Sequence, residues 1–227
     1  VLISSIKILK SQMKKFGFKK KIKIINLIDL KKQKLNNKTI NLVNIDYNIN
    51  NSKTYIKNCF DVAFKILKSN KFINGPINKS KFLDRKYLGI TEYISKKFHV
   101  NKMAMLIYNK DLSVCPITTH LPLKIVSKKI NQNLIKDKAK LINNFFIKDI
   151  GFKPKIAVTG LNPHCESILE TNEDDKIVAP AIKNLKKKGY NIYGPFPADT
   201  IFLRQNRKKY NVIIGMYHDQ VLTPIKT

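Results

Sequence analysis

The chain has 227 residues, of which 43% are hydrophobic, so it is long and apolar enough to form a real core, and a disordered chain is excluded. No apolar run approaches the roughly 20 residues of a membrane span, and lysines follow the apolar residues 1–6 too closely for a secretion signal. The formal net charge of +29 indicates anionic partners.

The basic residues are almost all lysine. Among 44 of them only Arg85, Arg204 and Arg207 are arginine, and the lysines are scattered with asparagine and isoleucine through every segment, the bias that AT-rich coding produces. Nucleic-acid sites more often cluster arginine, whose planar fork reads phosphate and guanine. The charge therefore favours small anionic substrates, and a basic nucleic-acid-binding module is the less favoured alternative.

Cysteine usage indicates the cellular compartment. Cys59, Cys115 and Cys165 are odd in number, widely spaced and outside any Cys-x-x-Cys pair, which indicates free thiols in a reducing cytoplasm. The chain begins without Met and stops shortly after its last predicted strand, so we expect a fragment that lacks both ends and is inactive by itself. No linker is visible, and residues 1–227 are expected to form a single incomplete unit.

The first hundred residues mix strand and helix patterns. An Ile-rich run predicts a strand over 22–28, and the Lys- and Asn-rich residues 30–52 predict a loop or an added hairpin. Apolar residues at helical spacing predict a helix over 54–69. Residues 72–79 predict a short strand leading into a turn, and a further helix is predicted over 92–98.

The middle of the chain begins with paired strands predicted at 103–107 and 112–118. A long lysine-rich amphipathic helix follows over 125–150, with a predicted break near Asn131.

Two short apolar runs rich in β-branched residues, 156–159 and 212–216, predict buried strands in the last part of the chain. Between them a helix is predicted over 180–188, and Gly189 stands where a left-handed C-cap belongs.

Three of the four histidines, His120, His164 and His218, lie in loops directly after predicted strands. Open α/β folds bind their ligands at the carboxyl ends of strands. Neutral imidazole is a good ligand for divalent metals, and three imidazoles leave an open position for substrate. The pattern predicts a metal site assembled by folding or by two subunits, in which Asp199 and Asp219 orient the imidazoles or transfer protons.

Five sequence blocks carry a family resemblance. In chain order they are Gly-Pro-Ile-Asn-Lys at 75–79, Thr-Thr-His-Leu-Pro-Leu at 118–123, Gly-Leu-Asn-Pro-His at 160–164, Gly-Pro-Phe-Pro-Ala-Asp-Thr at 194–200 and Met-Tyr-His-Asp-Gln at 216–220. Together they resemble the signatures of the 4-hydroxythreonine-4-phosphate dehydrogenase family, in the family's order. The resemblance implies an α/β fold like that of isopropylmalate dehydrogenase, with mixed or parallel sheets flanked by helices and an active site in a cleft at a dimer interface.

The same resemblance implies a chemistry. Members use NAD or NADP to oxidise 4-phosphohydroxy-L-threonine, which then loses CO₂ to give 3-amino-2-oxopropyl phosphate, in the synthesis of pyridoxal phosphate. A divalent metal (Zn, Co or Mg) is implied at His120, His164 and His218 in a homodimer with a shared site, His218 coming from one subunit and the other two histidines from its partner. Lys226 is implied as a substrate contact, with a catalytic role.

The start of the helix predicted over 92–98 bears on substrate choice. Thr91 either caps that helix or holds a phosphate there, and the resemblance implies that it contacts substrate. Ile90 stands where most members carry a substrate-binding histidine. This departure keeps open, as an alternative, a related dehydrogenase of another phosphorylated hydroxy acid, such as 4-phosphoerythronate or phosphothreonate.

Overall fold

The structure is a computed structural model that describes residues 1–30, 32–67, 71–83, 86–87, 89–166 and 172–226, without the side chains at positions 80 and 81. It divides into two compact units, Val1–Ile90 and Thr91–Thr227. The boundary falls at the start of a helix and has no linker composition, which is why the sequence gives no sign of it. Among the described residues, no helix has both the length and the apolar character needed to cross a membrane.

The first unit is a three-stranded parallel sheet with helices. Its strands, in the spatial order β1-β3-β2, are β1 (Leu2–Ser4), β2 (Ile22–Ile24) and β3 (Ile40–Asn44), and its helices are α1 (Ile6–Lys15), α2 (Ser52–Ile66) and α3 (Lys79–Leu83). The central strand β3 buries Leu42 and Val43, and α2 buries Phe60, which stacks on Phe82 with ring centroids 5.3 Å apart. Burial of these apolar side chains holds the unit together.

Three predictions in this unit need correction. Strand β2 is shorter than the predicted 22–28, and the region 30–52 holds strand β3, whose parallel pairing excludes a hairpin. The short strand predicted within 72–79 is absent, because residues 71–78 are irregular and Ile73 is 95% exposed. A strand there would need apolar burial that this segment does not achieve.

The helix predicted over 54–69 is confirmed as α2. It begins slightly earlier, where the side chain of Asn51 accepts a hydrogen bond from the backbone N–H of Thr54 at 3.2 Å and so caps the helix. The predicted end, residues 68–69, lies outside the described residues.

The second unit is a four-stranded parallel sheet covered by helices. Its strands, in the spatial order β4-β7-β5-β6, are β4 (Ser113–Thr118), β5 (Ile156–Thr159), β6 (Ile192–Phe196) and β7 (Val212–Tyr217). Its helices are α4 (Ile90–Lys97), which begins at the boundary residue, α5 (Val126–Lys129), α6 (Gln132–Phe145), α7 (Ala179–Lys187), α8 (Ala198–Ile201), α9 (Arg204–Arg207) and α10 (His218–Lys226).

Successive strand residues in this sheet point to opposite faces, and both faces are buried. Ile214 of β7 packs in a core with α6 and α7, whereas its neighbour Ile213 packs with Val221 and Leu222 of α10. Helices on both faces explain why the strands are continuous apolar runs. The predicted α/β fold with parallel sheets flanked by helices is confirmed. The strand pairs of both sheets are parallel, and the antiparallel contact is an isolated bridge between Ile107 and Val114.

That bridge is what remains of the strand predicted at 103–107. Strand β6 was missed, because Gly194-Pro195 lies inside it and indicated a loop. Proline lacks a backbone N–H, so an edge strand is the place where a sheet tolerates it, and β6 is an edge strand.

The helix predictions for the second unit are largely confirmed. The long helix over 125–150 breaks at Asn131, whose side chain accepts from the backbone N–H of Leu134 at 2.9 Å and starts α6. Gly189 ends α7 in the left-handed conformation, with φ of 82°. Thr91 is not an N-cap, because α4 already begins at Ile90.

Candidate active site at the carboxyl edge of the second sheet

All four strands of the second sheet end at one edge, because they are parallel. His120 follows β4, His164 follows β5, Asp199 follows β6 and His218 follows β7. The prediction that the three histidines follow strands therefore holds, with one correction, whereas the strand before Asp199 was not predicted. His218 is not in a loop but is the first residue of α10.

His120 and His218 lie side by side. Their ring centroids are 5.9 Å apart with an interplanar angle of 38°, and their side chains are 35% and 33% exposed. The pairing follows from the topology, since β4 and β7 are neighbours and Thr118 is in register with Tyr217. Two imidazoles that are distant in sequence thus share one partly open position on a single chain.

A carboxylate orients the His218 ring. Its Nδ1 lies 2.7 Å from Oδ1 of Asp219. An ionised carboxylate only accepts hydrogen bonds, so Nδ1 carries the proton and donates, and the lone pair of Nε2 is left for another partner. This arrangement is the one that metal-binding histidines commonly use, and it fits the orienting role predicted for Asp219.

Glu92, in the first turn of α4, approaches the other ring. Its Oε1 lies 3.6 Å from Nδ1 of His120, beyond hydrogen-bond distance, and accepts a hydrogen bond from the Thr119 hydroxyl at 3.4 Å. Its Oε2 is buried and has no hydrogen-bond partner among the residues that the structure describes. Sequence reasoning missed Glu92, although its place directly after Thr91 was a usable signal.

Left-handed backbone conformations occur at the candidate ligands. His120 has φ of 49°, and His164 and Cys165 have φ of 57° and 61°. Residues with side chains adopt this region at a cost, and such strain is typical of functional sites. His99 also has a positive φ, 52°, but there it ends α4, with hydrogen bonds from His99 to Lys96 and from Val100 to Ser95 that terminate a helix.

A buried carboxylate shapes the loop before His164. Asp174 is fully buried and accepts hydrogen bonds from the backbone N–H groups of Leu161 at 2.7 Å and Asn162 at 3.0 Å. The side-chain amide of Asn162 donates to it as well, at 3.1 Å. Sequence reasoning missed Asp174, because nothing in its own segment shows that it faces this loop.

The thiol of Cys165, next to His164, has a raised pKa. Burial raises the pKa of the Cys165 thiol above its ordinary value, and the negative charges of Asp174 and Asp199 raise it further. Asp199 itself is exposed at the start of α8, so its charge acts on the region of the His164 loop.

The predicted substrate residues lie at the ends of two helices, α4 and α10. Lys226 is the exposed last residue of α10, about 12 Å along the helix from His218 at 1.5 Å per residue. Thr91 is exposed in the first turn of α4, and Ile90 is its half-buried first residue.

The histidine pair fits two ligands of a divalent metal. A nitrogen 2.0–2.1 Å from a metal puts its ring centroid about 3 Å from the ion, so two rings at a tetrahedral angle are about 5 Å apart. The observed 5.9 Å is close to this spacing. Over the described part of one chain, however, no group of three or more His, Cys, Asp and Glu residues could hold a metal ion.

His120 and His218 come together within one chain. The division that the resemblance implied, with His218 from one subunit and His120 and His164 from its partner, stays a prediction. His164, exposed in the turn Pro163–Cys165, is the candidate that stands apart.

Known proteins are similar to this chain in sequence and in fold. The chain is 38% identical over 154 residues to the 4-hydroxythreonine-4-phosphate dehydrogenase of Neisseria meningitidis serogroup A, covering 67% of this chain and 47% of the relative. It is 35% identical over 155 residues to the D-threonate 4-phosphate dehydrogenase of Pectobacterium atrosepticum, covering 66% and 47%. The chain thus spans about half the length of these curated relatives.

A solved structure of a 4-hydroxythreonine-4-phosphate dehydrogenase from Burkholderia phymatum superposes on this chain with a TM-score of 0.76 at 27% identity, covering 100% of this chain and 73% of that one. The family model described as "Pyridoxal phosphate biosynthetic protein PdxA" matches residues 1–227. The chain therefore belongs to the PdxA family of pyridoxal phosphate biosynthetic proteins.

Proposed function

We propose that the intact protein is a metal-dependent, NAD(P)-linked dehydrogenase that oxidises 4-phosphohydroxy-L-threonine, with decarboxylation to 3-amino-2-oxopropyl phosphate, in pyridoxal phosphate synthesis. The observation that carries the proposal is the His120–His218 pair at the carboxyl edge of a parallel sheet, in a chain of this family. Open α/β enzymes bind their substrates at such edges.

His120, His218 and His164 hold the divalent metal, which is Zn, Co or Mg. The bound metal supplies a Lewis acid for the substrate's hydroxyl and ketone oxygens. Asp219 keeps the proton of His218 on Nδ1, so that Nε2 faces the metal position, as its 2.7 Å contact supports. A nicotinamide, NAD or NADP, supplies the hydride acceptor.

The substrate is a small phosphorylated acid, and charge recruits it. A net charge of +29 draws anions towards the protein. Thr91 and Ile90 lie at the start of α4, next to Glu92, and contact the substrate. Lys226 neutralises the carboxylate or phosphate of the substrate and acts as a proton donor. Asp199 and Asp219 transfer protons.

The site is shared in a homodimer. One chain supplies two imidazoles together, and its described residues form no three-ligand group. A structural zinc site has four protein ligands and a catalytic one three, so two imidazoles leave the site incomplete. We assign the third position to His164 of the partner subunit. The three cysteines are free thiols, which supports the cytoplasm as the location.

Turnover tests the proposal. The intact protein is incubated with 4-phosphohydroxy-L-threonine and NAD or NADP, and the reduced nicotinamide is followed by absorbance, before and after chelation and after return of Zn²⁺, Co²⁺ or Mg²⁺. We expect turnover that chelation abolishes and metal restores, that His218→Ala abolishes, and that the matched control His99→Ala keeps. Full turnover after exhaustive chelation, or equal activity of His218→Ala, would contradict the proposal.

A second substrate class has its own support. Ile90 stands where the resemblance implies a substrate-binding histidine, and one relative acts on D-threonate 4-phosphate according to its name. The same assay is therefore run with phosphorylated threonate and 4-phosphoerythronate. A higher kcat/KM on either one would assign this protein to that class.

A further inference from the structure

The side chain of Gln220 makes three hydrogen bonds at the carboxyl edge of the second sheet. Its Oε1 accepts from the backbone N–H of Met216 at 2.6 Å and from the Thr159 hydroxyl at 2.8 Å. Its Nε2 donates to the backbone carbonyl of Gly160 at 2.8 Å. Because the Met216 N–H must face an acceptor, the orientation of the amide is fixed by its surroundings.

These three contacts join the ends of two neighbouring strands. Thr159 and Gly160 end β5 and begin the loop to His164, whereas Met216 lies in β7, just before His218. The backbone N–H of Gly160 also donates to the carbonyl of Phe196 in β6 at 2.9 Å. Gly160 is therefore held from both sides, by β6 and by Gln220.

Close packing of α10 brings Gln220 to this position. A Cβ on Gly215 would overlap Cγ1 of Val221 and would come within 3.0 Å of Oε1 of Gln220. Only a residue without a side chain lets the first turn of α10 lie this near β7.

The network continues on both sides of Gln220. On the β4 side, Thr118 lies two residues before His120, and its hydroxyl donates a hydrogen bond to the carbonyl of Met216 at 2.8 Å. On the β5 side, the carboxylate of Asp174 accepts hydrogen bonds from the backbone N–H groups of Leu161 and Asn162. The strand ends that precede His120, His164 and His218 are thus linked through one series of hydrogen bonds, with Gln220 at its centre.

We propose that Gln220 is the positioning residue that fixes the start of the His164 loop against the end of β7, and so holds both the His218 of one metal site and the His164 that the same chain gives to the other site; this rests on the proposed function. The role needs a side chain that both donates and accepts at this length. A carboxylate of the same shape can accept hydrogen bonds from Met216 and Thr159 but cannot donate one. Its second oxygen, which is negatively charged, would therefore lie against the carbonyl oxygen of Gly160 and repel it.

Cobalt binding tests the proposal, because the visible spectrum of Co²⁺ reports ligand geometry and not only folding. Gln220→Glu in the intact protein is compared with Gln205→Glu, a matched change at an exposed position on α9. Gln220→Glu is expected to weaken Co²⁺ binding about 10–100-fold, the usual effect of losing a residue that supports metal ligands, and to shift the visible bands. Gln205→Glu should leave both unchanged.

Equal Co²⁺ affinity and superimposable spectra for Gln220→Glu and wild type would overturn the proposal. If Gln220→Glu does not fold, Thr159→Val decides instead, since it removes one of the three hydrogen bonds at constant volume. It should shift the cobalt bands in the same direction by less, and unshifted bands would overturn the proposal.

Failure of the proposed function gives a different result. In that case wild type itself would bind no Co²⁺ through its histidines, and His218→Ala would change nothing. Hydrogen exchange then tests the positioning role without metal. Gln220→Glu should speed exchange of the amides between residues 160 and 165 at least tenfold, and unchanged exchange there would overturn it.

Discussion

At the scale of single residues, Asp174 supports the loop that leads to His164 through hydrogen bonds to Leu161 and Asn162. Asp174→Asn keeps the size of the side chain but removes the negative charge that accepts hydrogen bonds from two backbone N–H groups and one side-chain amide. We expect a loss of about 1.5–3 kcal/mol in the free energy of unfolding, the range for hydrogen bonds to a charged group. Urea unfolding measures it, with Asp111→Asn at an exposed turn as the control. A loss no larger than the control's would contradict this assignment.

Cys115 makes stability depend on alkaline pH. Burial raises the pKa of its thiol from 9.0 to about 12, against the opposing effect of the positive charge of Lys138. The unfolded chain therefore loses this proton first. The contribution is fully present below pH 9.0 and falls by about 1.4 kcal/mol per pH unit between pH 9.0 and about 12.

Cys115→Ala should remove this slope. Burial lowers the pKa of Lys138, which favours the folded state as pH rises and opposes the thiol, but both proteins retain Lys138. Urea unfolding between about pH 8 and about pH 10 should show wild type losing stability more steeply than the variant. Parallel pH profiles would show that the buried thiol does not titrate as described.

At the scale of elements, the contact between β7 and α10 decides where His218 and Gln220 lie. Gly215→Ala puts a methyl group against Val221 and Gln220. We expect a loss of about 1–3 kcal/mol, as for overpacked cores. Gly75→Ala is the control, because a methyl group there meets no atom of the described residues within 4 Å. Equal thermal unfolding of the two variants would mean that α10 does not press on β7.

The elements that could be predicted from the sequence are those whose own residues show a clear apolar run or a helix cap. Strands β5 and β7 are short apolar runs, and the break at Asn131 has a capping side chain, so local physics determines them. Strand β6 contains a Gly-Pro pair, and β3 lies in a Lys- and Asn-rich segment. Tertiary pairing overrides composition in these two strands.

The candidate site was predictable in its residues but not in its arrangement. Histidines after strands were visible in the sequence, but β7 inserts between β4 and β5, and this strand order is what pairs His120 with His218. Gln220 was visible as part of a motif, without a role. Asp174 and Gln220 act through backbone groups that become neighbours only after folding.

At the scale of the whole molecule, the second unit carries the histidines and Thr91, and Ile90 is the last residue of the first unit. The chain spans about half the length of the curated relatives it matches. In the proposed homodimer, each chain supplies His120 and His218 as a pair, and His164 of the partner subunit completes the metal site.

Subunit mixing tests this claim most directly. His120→Ala and His164→Ala are mixed in the intact protein, with subunit exchange confirmed by native mass spectrometry. In a mixed dimer one site then lacks two histidines and the other has its full set. About half of the dimers are mixed, so roughly a quarter of wild-type turnover should return.

Mixing His120→Ala with His218→Ala is the matched comparison, and it should restore no activity, because each pair then lacks one imidazole. The opposite result, recovery from His120→Ala with His218→Ala and none from His120→Ala with His164→Ala, would contradict the pairing of His120 and His218 within one chain.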